Sequence, residues 1–130
     1  MGVILVVDDE PHATRVLKTH LERAGHQVQV ASNGEDALQK LGEIEFDVLI
    51  TDICMPRMGG RELCERVRAA NVEPEPLIFV LSSSAEAEHR VWTRDFLNVE
   101  FIEKPVSLKR LVERVAELLA KPDASEDSGA

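Results

Sequence analysis

The run Val48-Leu49-Ile50, bounded by Asp47 and Thr51, contains no polar residue. An unbroken apolar run of strand length reads as a strand covered on both faces, the setting of a parallel sheet. Similar runs recur at Val3-Ile4-Leu5-Val6-Val7 and Leu77-Ile78-Phe79-Val80-Leu81, and Val99-Glu100-Phe101-Ile102, interrupted by Glu100, reads as the last strand. Gln27 to Ala31 alternates polar and apolar residues around Val28 and Val30 and reads as a further strand.

Between these strands the apolar residues fall at helical spacing. Pro11 suits the first turn of a helix that buries Ala13, Val16, Leu17, Leu21 and Ala24 and stops at Gly25. Asn33-Gly34 reads as a turn, followed by a helix through Ala37, Leu38 and Leu41. Pro56-Arg57-Met58-Gly59-Gly60 reads as a loop, and Leu63, Val67 and Ala70 mark a third helix. A fourth is predicted over residues 85–97, with Trp92 and Phe96, four apart, as a packed pair. Ser107 caps a last helix with Leu108, Leu111, Val112, Val115, Leu118 and Leu119 on its apolar face. Five strands alternating with five helices predict an α/β chain of (βα)5 form around a parallel sheet.

With 130 residues the chain suffices for one domain and is too short for two. Residues 1–121 form that domain in this reading, and the acidic, small-residue stretch 122–130 is a disordered tail or truncated linker. A net charge of −9 and the lack of a Lys/Arg run argue against direct binding to nucleic acid or to an anionic membrane. The early run Val3–Val7 is too short for a signal segment or a membrane span, so a cytoplasmic location is expected. Cys54 and Cys64 make no CxxC pair and are read as buried thiols. His12, His20, His26 and His89 are scattered and are read as surface residues.

Four strands end in a chemically charged or hydroxylic group: Asp8-Asp9, Asp52, Ser82 and Lys104. In a parallel sheet all C-terminal strand ends share one rim, where ligands bind in open α/β folds. Side chains spread over most of the chain therefore converge. Three neighbouring carboxylates repel unless a cation offsets them, and a hard divalent ion with oxygen ligands, Mg2+, meets that need. Asp52 is then read as a carboxylate nucleophile that accepts a phosphoryl group. Lys104 supplies a point charge and Ser82 a hydroxyl to the developing charge on the phosphoryl oxygens. Taken singly, each residue is more often a turn, a cap or a loop start. Their joint occurrence at successive strand ends carries the reading.

Residues 3–121 resemble the receiver domain of bacterial two-component response regulators. Val6-Val7-Asp8-Asp9-Glu10 is similar to the family's acidic pair, and Asp47 through Met55-Pro56 to its phosphoacceptor segment. Ser82 and Lys104-Pro105 fall where the family has its switch hydroxyl and its Lys-Pro. The resemblance implies a flavodoxin-like three-layer fold with strand order 2-1-3-4-5. It implies that Asp9 and Asp52 ligate Mg2+ directly, that Asp8 acts largely through water, and that the Cys54 carbonyl is a further ligand. It also implies a cis bond before Pro105 that aims Lys104 inward, and a switch aromatic at Phe101. In this sequence Leu97-Asn98 replaces a small Gly-Ala pair, Gly59 stands where an acidic residue is common, and Ser83 replaces Ala or Gly.

The expected mechanism is a population shift. Phosphorylation of Asp52 draws Ser82 toward it, Phe101 fills the vacated space, and the surface of the fourth predicted helix, fifth strand and last helix changes. Glu86, Arg90, Arg94, Phe101 and Arg114 are the surface candidates, and that face also offers a route to a homodimer. The implied partners are a histidine kinase or phosphotransfer protein and a downstream protein or missing output domain. The chain is expected to perform only its own phosphorylation and dephosphorylation. Two other classes remain open: a receiver-like interaction module, and a Mg2+-dependent phosphohydrolase of the dehalogenase-like type. The second usually carries an Asp where this chain has Cys54.

Overall fold

The computed structural model describes residues 2–71, 75–82, 92–93, 96 and 98–120. Five strands are present: β1 Val3–Val7, β2 Gln27–Ala31, β3 Val48–Asp52, β4 Leu77–Ser82 and β5 Val99–Glu103. Four helices are described: α1 Pro11–Arg23, α2 Gly34–Glu43, α3 Gly60–Ala69 and α4 Leu108–Ala120. The strands form one parallel sheet of order β2-β1-β3-β4-β5, as the resemblance implies. Most of the predicted fourth helix and all of the tail 122–130 lie outside the described residues, although Trp92 and Thr93 are helical.

Successive side chains of a strand point to opposite faces, and here both faces are dry. Leu5, Val7, Leu49 and Val80 pack with Ala37 and Leu41 of α2, Leu63 and Val67 of α3, and Trp92 and Phe96. Ile4, Val6, Ile50 and Phe79 pack on the other face with Leu17 and Leu21 of α1 and Leu111 and Val115 of α4. Each fully buried Leu, Ile or Val contributes about 1.5–3 kcal/mol relative to exposure, so the central strands hold the layers together. Trp92 and Phe96 form the expected pair, edge to face with ring centroids 5.9 Å apart. Arg68 of α3 lies over the Phe96 ring at 3.9 Å and Arg61 over Trp92 at 5.9 Å.

Several local expectations are corrected. Asn33-Gly34 is not a free turn: Asn33 is the N-cap of α2, its side-chain oxygen accepting the Asp36 N–H at 2.8 Å, and Gly34 is the first helical residue. Ala24 and Ala70 are exposed rather than packed, because α1 and α3 each end one residue earlier. Gly25, with φ of +97°, makes the reversal after α1. Cys64 is buried but Cys54 is exposed, since it lies beyond the end of β3 in the following loop. His26 is buried, not on the surface. Its Nδ1 accepts the Gly2 N–H at 3.0 Å at the rim where the strands begin. Nε2 finds no hydrogen-bond partner among the described residues, and burial lowers the His26 pKa.

Candidate functional site

At the C-terminal rim the sheet brings Asp8, Asp9, Asp52 and Lys104 together. Asp52 is the last residue of β3, and Asp8 and Asp9 follow the last residue of β1, its sheet neighbour. Each of the three carboxylates offers an oxygen, and these oxygens all lie within 4.8 Å of one another. Lys104 follows β5 and reaches across the end of β4 to place its Nζ 2.8 Å from Asp52 Oδ1. The Asp52 side chain is 12% exposed and that of Lys104 34%, so the contact is partly shielded from water. The Lys104-Pro105 bond is cis.

The electrostatics follow from crowding. Burial raises the Asp8 pKa, and the charge of Asp52 adds to the rise. The Glu10 N–H, donated to Asp8 Oδ1 at 3.0 Å, and the Lys104 charge offset it only in part. For Lys104, burial is the largest influence and acts to lower the pKa. The hydrogen bond and charge of Asp52, with help from Asp8, outweigh it, and the pKa is raised. Among the described residues, one ammonium thus faces three carboxylates. An oxygen-only donor set with excess negative charge fits a hard divalent cation such as Mg2+.

Ser82 ends β4, is buried, and sits one position past Leu81, the register partner of Asp52. Its carbonyl accepts the Lys104 N–H at 2.7 Å, tying the hydroxyl-bearing residue to the amine-bearing one through the backbone. Phe101 is half-buried on β5 opposite Val80. Arg114 is held by Glu100 through contacts of 2.7–3.1 Å, and by Glu117 at 2.9 Å. Glu86, Arg90 and Arg94 lie outside the described residues.

The loop after Asp52 contains features that the sequence reading passed over. Ile53 is pinned on both sides, its N–H donating to Leu81 O and its carbonyl accepting the Gly60 N–H, each at 2.9 Å. Gly60 is required by close approach: a Cβ there would meet the Asp52 carbonyl oxygen at 2.8 Å and Ile53 Cα at 3.0 Å. Met58 N–H donates to Pro56 O at 2.7 Å, closing a three-residue turn around Arg57, whose φ is +68°. A non-glycine residue there is strained and needs its neighbours to hold it. The adjacent Gly59-Gly60 pair, the N-cap and first residue of α3, was the available signal of tight packing.

An open parallel sheet of this order, with an acidic cluster and a lysine on its C-terminal rim, places the molecule among the flavodoxin-like α/β domains. Residues 4–116 match the family model described as the response regulator receiver domain. The chain belongs to that family, the receiver domains of two-component systems.

Among curated relatives, the chain is 35% identical over 118 residues to the transcriptional regulatory protein ResD of Bacillus subtilis, covering 91% of this chain and 48% of ResD. It is 32% identical over 127 residues to the response regulator MprA of Mycobacterium leprae, covering 96% and 55%. The chain thus spans about half the length of these relatives. Among solved structures it is similar to the chemotaxis protein CheY4 of Vibrio cholerae. That match has a TM-score of 0.83 and 27% identity, and covers 90% of this chain and 98% of that one. It is also similar to the response regulator TrrA of Thermotoga maritima in complex with Mg2+-BeF, with a TM-score of 0.78 and 31% identity. There 91% of this chain and 99% of TrrA are covered. No helix among the described residues is long and apolar enough to cross a membrane.

Proposed function

We propose that this receiver domain is switched by Mg2+-dependent phosphorylation of Asp52. The observation that carries the reading is the junction of the Lys104–Asp52 pair with the Asp8, Asp9 and Asp52 carboxylates. An Asp52 carboxylate oxygen attacks phosphorus, an acyl phosphate bond forms, and the donor's bond to phosphorus breaks with its electron pair leaving on the donor. Asp8, Asp9 and Asp52, with the Cys54 carbonyl, would hold the ion. Mg2+ bound there would offset carboxylate charge and polarise a phosphoryl oxygen. Lys104, already at hydrogen-bond distance from Asp52, stays to neutralise the phosphoryl group, and Ser82 moves toward it as a donor.

The donor in this reading is a histidine kinase or phosphotransfer protein. A groove of about 310 Å3 beside Asp8 and Lys104, lined also by His12, Val16, Val106 and Leu108, gives such a partner an apolar foothold next to the acceptor. The output is a changed surface around β5 and α4, read by a downstream protein, by an output domain or by a second copy of the chain. The length of the relatives favours an output domain. The chain works in the cytoplasm in this reading and turns over no external substrate, acting only on its own aspartyl phosphate.

Intact-mass analysis after incubation with acetyl phosphate and Mg2+ tests the proposal. One phosphoryl adduct on the natural chain and none on Asp52→Ala is the expected result. An adduct that persists in Asp52→Ala overturns the assignment. No adduct at all favours a phosphorylation-independent interaction module, and turnover of a generic phosphate ester favours a phosphohydrolase.

A further inference from the structure

We infer that Gly34 and Met58 are a positioning pair that holds the loop behind Asp52 in its metal-binding shape. This rests on the proposed Mg2+ role of that loop and extends it to two residues remote from the carboxylates. Met58 is only 5% exposed, although its neighbours Pro56 and Arg57 are exposed. Its side chain lies flat on the first turn of α2. A Cβ built on Gly34 would meet Met58 Sδ at 2.6 Å, Cγ at 2.9 Å and Cβ at 3.0 Å. Contact along the whole stem means that rotating the outer bonds of Met58 does not make room. Making room takes a turn of the whole Met58 side chain out of its seat, together with a shift of a few tenths of an ångström between Met58 Cβ and Gly34.

The Met58 backbone closes the strained turn at Arg57 through the 2.7 Å bond to Pro56 O. A positive φ at an exposed arginine persists only if its surroundings enforce it. The Arg57–Glu35 contact is 3.9 Å long between two exposed side chains and is too weak for that task. The seated Met58 is the stronger anchor. The loop is thus fixed at Ile53 by two backbone hydrogen bonds and at Met58 by its seat on Gly34. Cys54, whose carbonyl would face the ion, lies on the span between these fixed points. Gly34 therefore serves two ends: it starts α2, and it leaves the space that Met58 occupies.

The test measures Mg2+ binding by calorimetry on the unphosphorylated chain, together with the acetyl phosphate labelling rate and the unfolding temperature. The natural chain is compared with Gly34→Ala, Met58→Ala and Met58→Leu. Gly34→Ala and Met58→Ala are expected to weaken Mg2+ binding about tenfold, in line with the cost of misplacing a site group by a fraction of an ångström, while Met58→Leu stays within about threefold. A merely structural pair would lower the unfolding temperature and leave the Mg2+ dissociation constant in place. Mg2+ binding unchanged in either of the first two variants, while folded, overturns the inference. Should Gly34→Ala not fold, Met58→Ala decides alone. Failure of the natural chain to bind Mg2+ or to be labelled is a different result and removes the proposed function itself.

Discussion

Lys104 Nζ stands 2.8 Å from Asp52 Oδ1 and so joins the ends of β3 and β5 across β4, the strand that separates them. Replacing Lys104 leaves a partly buried carboxylate without its cation. Lys104→Met is expected to cost about 1–3 kcal/mol in urea unfolding without Mg2+. Added Mg2+ should return part of the loss, because a divalent ion takes over the charge balance. Equal losses with and without Mg2+ would contradict this account.

Asp8 acts in the opposite sense. Its pKa is raised, first by burial and then by Asp52. A carboxyl with a raised native pKa contributes stability that is full below its ordinary value of 3.8 and is lost as pH rises through the native value. At neutral pH the ionised group therefore weakens the metal-free fold. Asp8→Asn should raise the urea midpoint at pH 7 without Mg2+ and abolish most of the added stability that Mg2+ gives.

His26 predicts a separate pH dependence at the other rim of the sheet. Its pKa lies below the ordinary 6.5 because burial disfavours the imidazolium. Protonation would also end the acceptance of the Gly2 N–H by Nδ1. The unfolded chain takes up the proton first, so stability is present above pH 6.5 and falls as pH drops toward the native value. His26→Gln should flatten this part of the pH profile in urea unfolding between pH 7.5 and pH 5.5, values about one unit either side of an unperturbed histidine.

Gly60→Ala tests the packing behind the acceptor. In an isolated helix Ala is the better residue. Here its methyl would press on the Asp52 carbonyl and Ile53 Cα, both backbone atoms that cannot rotate away. Destabilisation by about 1–3 kcal/mol is expected from overpacking, read as a lower urea midpoint.

The fold was legible because β1, β3 and β4 carry unmixed apolar runs, and because β1, β3, β4 and β5 each end in or lead directly into an acidic, hydroxyl or amine side chain. The position of Asp52, Ser82 and Lys104 on one rim follows from parallel pairing alone, without knowledge of any contact. What escaped were features set by approach between elements rather than by pattern within one. Nothing local distinguishes Asn33 as a cap from Asn33 in a turn until the Asp36 N–H arrives at 2.8 Å. His26 reads as polar, yet tertiary packing puts it inside and gives it one backbone donor. Cys54 reads as apolar, yet the sheet stops short of it. The seat of Met58 on Gly34 is visible only once α2 and the loop after β3 are in place.

The 2.7 Å bond from the Lys104 N–H to the Ser82 carbonyl makes the two strand tips one mechanical unit. A displacement of the β4 tip is passed to the base of the lysine through a single peptide-to-peptide link, with no side chain to bend in between. The reach of Lys104 toward Asp52 and the seat of Ser82 are thus set on a common hinge, and slack in one is slack in the other.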